Sequence, residues 1–187
     1  MSQENTYSAF AGDRCIASGP LSTLLRETKA HLDQASDPRV LIFEDQTGRQ
    51  VEFDFRGSLS EVLARAEPAR PGPGRPKLGV VSREVSLLPR HWEWLEAEPQ
   101  GISATLRRLV DEARKKNPGE QRARQAREAV SHFLTAMAGN FEHFEEATRA
   151  LFAKDDARFA ALIADWPEDI RRHALTRLEQ AASGELE

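Results

Sequence analysis

The stretch from Glu67 to Lys77 reads EPARPGPGRPK and holds four prolines and two glycines in eleven residues. No regular element can pass through it. Each proline removes a backbone donor and fixes φ, and the glycines let the chain turn freely. The chain on either side of it must be built as separate runs. It is therefore read as a unit over 1–66, a basic linker over 67–79, a strand-helix-helix segment over 80–117 and a helical bundle over 118–187.

The first run alternates strand and helix signals. YSAFAGDRCIA places Gly12-Asp13 between two β-prone stretches, which predicts a hairpin. Pro20 stands where a first helical turn tolerates it, and Leu21, Leu24, Leu25, Thr28 and Leu32 recur at helical spacing. A second hairpin turns at Thr47-Gly48, and Ser58 with Glu61 forms a capping-box pair ahead of Val62 and Leu63. The expected order is β-β-α-β-β-α, with helices covering one face of the sheet. Together with the helical C-terminal run, this makes the fold class α+β.

Beyond the linker, Val80 to Leu87 is strand-like, Pro89 opens a helix and Glu98-Pro99 closes it. Gly101 precedes a second helix whose apolar stripe is Ile102, Leu106, Leu109, Val110 and Ala113. In the last run, Ala126, Val130, Phe133, Leu134 and Met137 form one stripe. Phe141, Phe144, Thr148, Leu151 and Phe152 form another. Asp155 caps a helix carrying Phe159, Leu162 and Ile163, and a last helix carries Ile170, Ala174, Leu178 and Ala181. Short connections imply antiparallel neighbours.

Charge divides the chain in the same places. Net charge is −4 overall, but residues 70–116 carry ten basic and six acidic side chains between two acidic ends. A basic middle suits a polyanion or an acidic partner. No apolar run approaches a membrane span. The start, MSQENTY, has no charged and then apolar leader, and the lone Cys15 allows neither an internal disulfide nor a cysteine-cluster metal site. A reducing cytoplasm is the expected location.

Catalytic patterns are missing. The prolines of GPGRPK remove the N–H donors that a phosphate-cradling loop needs. No glycine-rich dinucleotide loop, serine elbow or Cys-His constellation is present. Glu128 with His132, and His143 and His173 further on, do not make a metal-ligand set. No catalytic residue, metal or cofactor is assigned, and a non-enzymatic protein is expected ahead of an enzyme of unrecognised type. Among the tryptophans, which could all stack on bases, Trp92 lies on a stripe with Leu88 and Leu95 and reads as core, and Trp94 as an exposed or interfacial aromatic.

VSREVSLLPRHWEWL and then SATLRRLVDEA resemble the ribbon-helix-helix family of DNA-binding dimers. That resemblance implies a homodimer whose strands pair into an antiparallel ribbon, with DNA as ligand. Its ribbon face would be Ser82, Glu84 and Ser86, which carry no cation, although glutamate can accept from cytosine. Gly101, Ile102 and Ser103 would supply N–H donors to a phosphate. Arg75, Lys77, Arg90 and Arg107 would neutralise phosphates. PGRPK is similar to an AT-hook core but is read as linker. A protein partner with no nucleic acid is the alternative, and no membrane is expected. At the scale of the whole chain, GRPKLGVVSREVSLLPRHWEWL, LRRLVDEAR and FEEATRALFAKDDARFAALIADWPEDIRRHAL resemble a bacterial domain-of-unknown-function family, number 2239. It implies a bacterial protein and brings no activity or site residue.

Overall fold

A computed structural model describes residues 5–34, 39–66, 81–116 and 118–183. The chain divides into two compact units, one formed by Met1–Glu67 together with Gly119–Glu187, the other by Pro68–Pro118. The N-terminal strands and the C-terminal helices, which the sequence pattern sets apart, thus share one core.

In the first unit, β1 (Thr6–Ala11), β2 (Arg14–Pro20), β3 (Leu41–Glu44) and β4 (Arg49–Val51) make an antiparallel sheet of order β2-β1-β3-β4. Gly12 and Gly48 turn the two hairpins at φ of +61° and +64°, the left-handed region that glycine enters without cost. A bulge interrupts the β1–β2 ladder: Ala9 opposes Ala17, but Phe10 opposes Cys15. The extra residue is Ile16. It turns toward Ala9, Leu24 and Ile42, while Cys15 joins Phe10 and Phe43 on the other face.

Helices cover both faces, not one. Helix α1 (Leu21–Leu32) lays Leu24 on Ala9, Ala17 and Ile42. Next to it α2 (Leu59–Ala66) begins at the expected capping box, with Ser58 N–H donating to Glu61 Oε2 at 2.7 Å and Glu61 N–H to Ser58 Oγ at 3.4 Å. The opposite face holds the larger core. Phe10 and Phe43 meet Val130, Phe133 and Leu134 of α5 (Pro118–Ala138), Leu151 of α6 (Phe144–Phe152), Phe159 of α7 (Asp156–Leu162) and Ile170 of α8 (Glu168–Ser183). Both alternating sets of β1 and β3 are apolar enough to need cover, so the expected one-sided arrangement would have left Phe10 and Phe43 bare.

Polar contacts from three side chains fix this packing. His132 Nδ1 lies 2.9 Å from Thr47 O, tying α5 to the β3–β4 turn. Arg127 meets both oxygens of Asp156 at 3.1 Å and donates from Nε to Leu151 O at 3.2 Å, so one side chain binds α5 to α6 and α7. Trp166 is buried and donates to Glu142 O at 2.9 Å. Asp155 accepts from Arg158 N–H at 3.0 Å, the predicted cap. Phe152, assigned by spacing to an apolar stripe, is exposed.

The second unit contains α3 (Pro89–Ala97) and α4 (Ile102–Lys116), preceded by residues 81–88. Pro89 occupies the first helical turn of α3, where its missing N–H has no partner to lose. At the other end Glu98 is extended, and Gly101 at φ +76° reverses the chain into α4. Leu95 and Thr105 are buried. Only part of the predicted α4 stripe is covered: Ile102 and Leu106 are half-buried, whereas Leu109, Val110 and Ala113 are exposed. A nine-residue helix is too short to shield a fifteen-residue one along its length.

Candidate functional site

Residues 81–88 run without turn or bend, and Leu88 is extended at φ −68° and ψ 150°. They belong to no ladder, so the predicted strand has no partner among the described residues. Alternation puts Val81, Arg83, Val85 and Leu87 on one face and Ser82, Glu84, Ser86 and Leu88 on the other. Neither face is covered. Val81 is 71% exposed and Val85 59%, Leu88 is exposed, and only Leu87 is half-buried. Trp94 is exposed as well, as expected of an interfacial aromatic.

The predicted contact residues separate into groups. Arg75 and Lys77 lie outside the described residues. Ser82, Glu84, Ser86 and Arg90 are exposed along the extended segment and the first turn of α3. Gly101, Ile102, Ser103 and Arg107 come together, lining an open depression of about 520 Å³ at the start of α4. Arg107 donates from Nε to Ser103 O at 3.0 Å, which bends its guanidinium back toward the helix start.

Gly101 is not a donor there. Its N–H already goes to Glu98 O at 3.0 Å, and its own carbonyl accepts from Thr105 N–H at 3.0 Å. The first-turn donors of α4 are therefore Ile102, Ser103 and Ala104. Glu96 lines the same depression, and its carboxylate opposes an anion.

A second polar group lies in the first unit and has no signal in hydropathy. Ser8 Oγ donates to Asp45 Oδ1 at 2.8 Å and lies 3.2 Å from Ser18 Oγ, with Ser8 and Asp45 both buried. Arg177 Nη2 approaches Asp45 Oδ2 to 2.9 Å. That approach is off the hydrogen-bond axis, so Asp45 Oδ2 and Arg177 Nε have no hydrogen bond. One turn earlier on α8, the His173 ring sits 4.3 Å from the Phe133 ring centre and 5.6 Å from that of Phe10. Burial, opposed by Asp45 and helped by Arg177, brings its pKa down to about 4. Another turn earlier, Asp169 Oδ2 accepts the Cys15 N–H at 2.9 Å.

Asp169, His173 and Arg177 thus place a polar row of α8 against the sheet. A serine, a histidine and an aspartate are near one another, but the arrangement does not activate a nucleophile. Ser8 is buried and bonded directly to the carboxylate, with no imidazole between them. Among the described residues, no group of three or more His, Cys, Asp and Glu side chains is placed to hold a metal ion. No helix among them is long and apolar enough to cross a membrane.

A family model described as an uncharacterized protein conserved in bacteria, DUF2239, matches residues 6–178. No curated protein and no solved structure matches the chain.

Proposed function

The chain belongs to the bacterial DUF2239 family, and within it we propose a non-enzymatic homodimer, possessing a regulatory role and paired through residues 81–88. The carrying observation is where apolar surface is left open. Val81, Val85, Leu88 and Trp94 are exposed on and beside this segment of the second unit, whereas Phe152 is the one large apolar residue exposed to that degree among the described residues of the first. The first unit, by contrast, blunts its sheet edges: β2 with a bulge, β4 by being three residues long.

A lone extended segment leaves its N–H and C=O groups without ladder partners, and a second copy supplies both partners and apolar cover. Register is set by charge. Antiparallel pairing centred on Val85 sets Val85 against itself and Glu84 against Ser86. Centring on Glu84 would oppose like charges, which is unfavourable. Light scattering on the eluting protein tests this: a dimer has about twice the 20.9 kDa chain mass, and a monomer at micromolar concentration removes the reading.

A second reading adds DNA as the dimer's ligand. It is favoured by the depression at the start of α4, where first-turn donors and Arg107 converge. Ser82, Glu84 and Ser86 would face the bases and Arg75, Lys77 and Arg90 the phosphates. Anisotropy of a labelled mixed-sequence duplex at low salt tests this reading, and absence of binding by a confirmed dimer rejects it alone.

A further inference from the structure

Along α4, Ser103, Arg107, Val110 and Arg114 recur at i, i+4, i+7 and i+11, so they form one row. All four are exposed, and the row lies opposite Thr105, the residue that α4 buries. The two sides of the helix treat their charges differently. Arg108 is neutralised within the unit, 3.0 Å from Glu112 and 3.7 Å from Glu98. Arg107 and Arg114 have no ion-pair partner among the described residues, and between them stands Val110, 56% exposed.

We infer that this row is a docking face for an acidic helix of another protein, with an apolar side chain seated on Val110 and carboxylates meeting Arg107 and Arg114. Seven residues separate the two arginines, about 10.5 Å along the axis. A partner helix with acidic residues at i and i+7 and an apolar residue between them at i+3 or i+4 matches that spacing.

The α4 helix of a second copy does not fit. An antiparallel pair of α4 helices would bring Arg107 against Arg114, and a parallel pair would set each arginine against itself. A phosphate backbone gives Val110 nothing to bury against. The inference is independent of self-pairing at 81–88, since it uses a different element and a different partner.

The test uses the full chain and a fluorescein-labelled synthetic helix carrying Glu, Leu and Glu at i, i+3 and i+7 on an otherwise neutral background. Anisotropy should report binding that weakens at least about tenfold in Arg107→Glu/Arg114→Glu. The same peptide with lysine for each glutamate should bind that double variant and not the parent chain. Val110→Ala should weaken binding without changing its salt dependence. Circular dichroism matching the parent confirms that the variants are folded. No binding at about 1 mM peptide, or equal binding by the charge-reversed chain, overturns the inference. So does a duplex that binds through the same two arginines when the acidic peptide does not, which would assign the row to nucleic acid.

Discussion

Arg177, just past the middle of α8, sets its Nη2 2.9 Å from Oδ2 of Asp45, a carboxylate sealed from solvent in the turn after β3. The pair joins the sheet to the last helix across the core. Asp45→Asn or Arg177→Met removes one charge and leaves the other uncompensated, so each should cost about 3–5 kcal/mol in urea unfolding. The double variant Asp45→Asn/Arg177→Met should recover part of that loss. Additive losses would show that the two side chains do not act as a pair.

His173 makes stability depend on pH. Its folded pKa of about 4 lies below its ordinary value of 6.5, so the fold prefers the neutral ring. Stability from this residue is complete above pH 6.5 and declines as pH falls from 6.5 toward 4. Across that window the loss is about 3 kcal/mol, and below it the deficit no longer grows. His173→Phe should flatten this part of the curve in denaturant titrations between pH 7 and 4. An unchanged slope would place the acid sensitivity elsewhere.

Two glycines with nearly the same φ should respond differently to alanine. A Cβ on Gly48 would lie 1.8 Å from the Ala129 carbonyl oxygen of α5, whereas one on Gly12 meets nothing within 4 Å. Gly12→Ala should cost about 1–2 kcal/mol, the left-handed penalty alone. Gly48→Ala should cost more than that by at least about 2 kcal/mol, because backbone must separate from backbone. Equal melting temperatures in calorimetry would contradict the close approach of this turn to α5.

Pairing centred on Val85 gives a cross-linking prediction. In a Cys15→Ser background, Val85→Cys should form an interchain disulfide under mild oxidation, because the residue faces its own copy across the two-fold axis. Ser82→Cys should not. Equal cross-linking at both positions would indicate parallel strands or chance collision.

If the dimer carries DNA, log affinity should fall with log salt by about −0.9 per phosphate engaged, and four contacts per chain would give a slope of about −7. Arg75→Ala/Lys77→Ala should flatten it. Ser103→Pro should weaken binding by removing one first-turn donor without unfolding α4. A slope near zero would mean that any binding is not held by phosphates.

Element order in the first unit was legible because each boundary has a local cause: Gly12 and Gly48 in tight turns, Pro20 ahead of α1, Ser58 with Glu61 at α2 and Asp155 at α7. Pro89 marks α3 in the second unit in the same way. Apolar periodicity also found Val130, Phe133 and Leu134. It misled at Val110 and Phe152, because spacing identifies a face without saying what covers it. The row of Asp169, His173 and Arg177 was illegible for a related reason. Its partners, Cys15 and Asp45, are at the far end of the chain, and a half-buried histidine has the same pattern as an exposed one. Gly101 was assigned a free donor, and the 3.0 Å bond to Glu98 O shows that local turn geometry had already taken it.

Because the first unit is assembled from two stretches separated by the second, its folding cannot keep to the order of synthesis. When β1 to β4 leave the ribosome, Phe10 and Phe43 have no cover. Val130, Phe133 and Leu134 arrive only after the whole second unit has been made, and Ile170 later still. The nascent sheet must wait with one greasy side bare. Its bulged β2 and three-residue β4 then protect the half-made protein as well as the finished one.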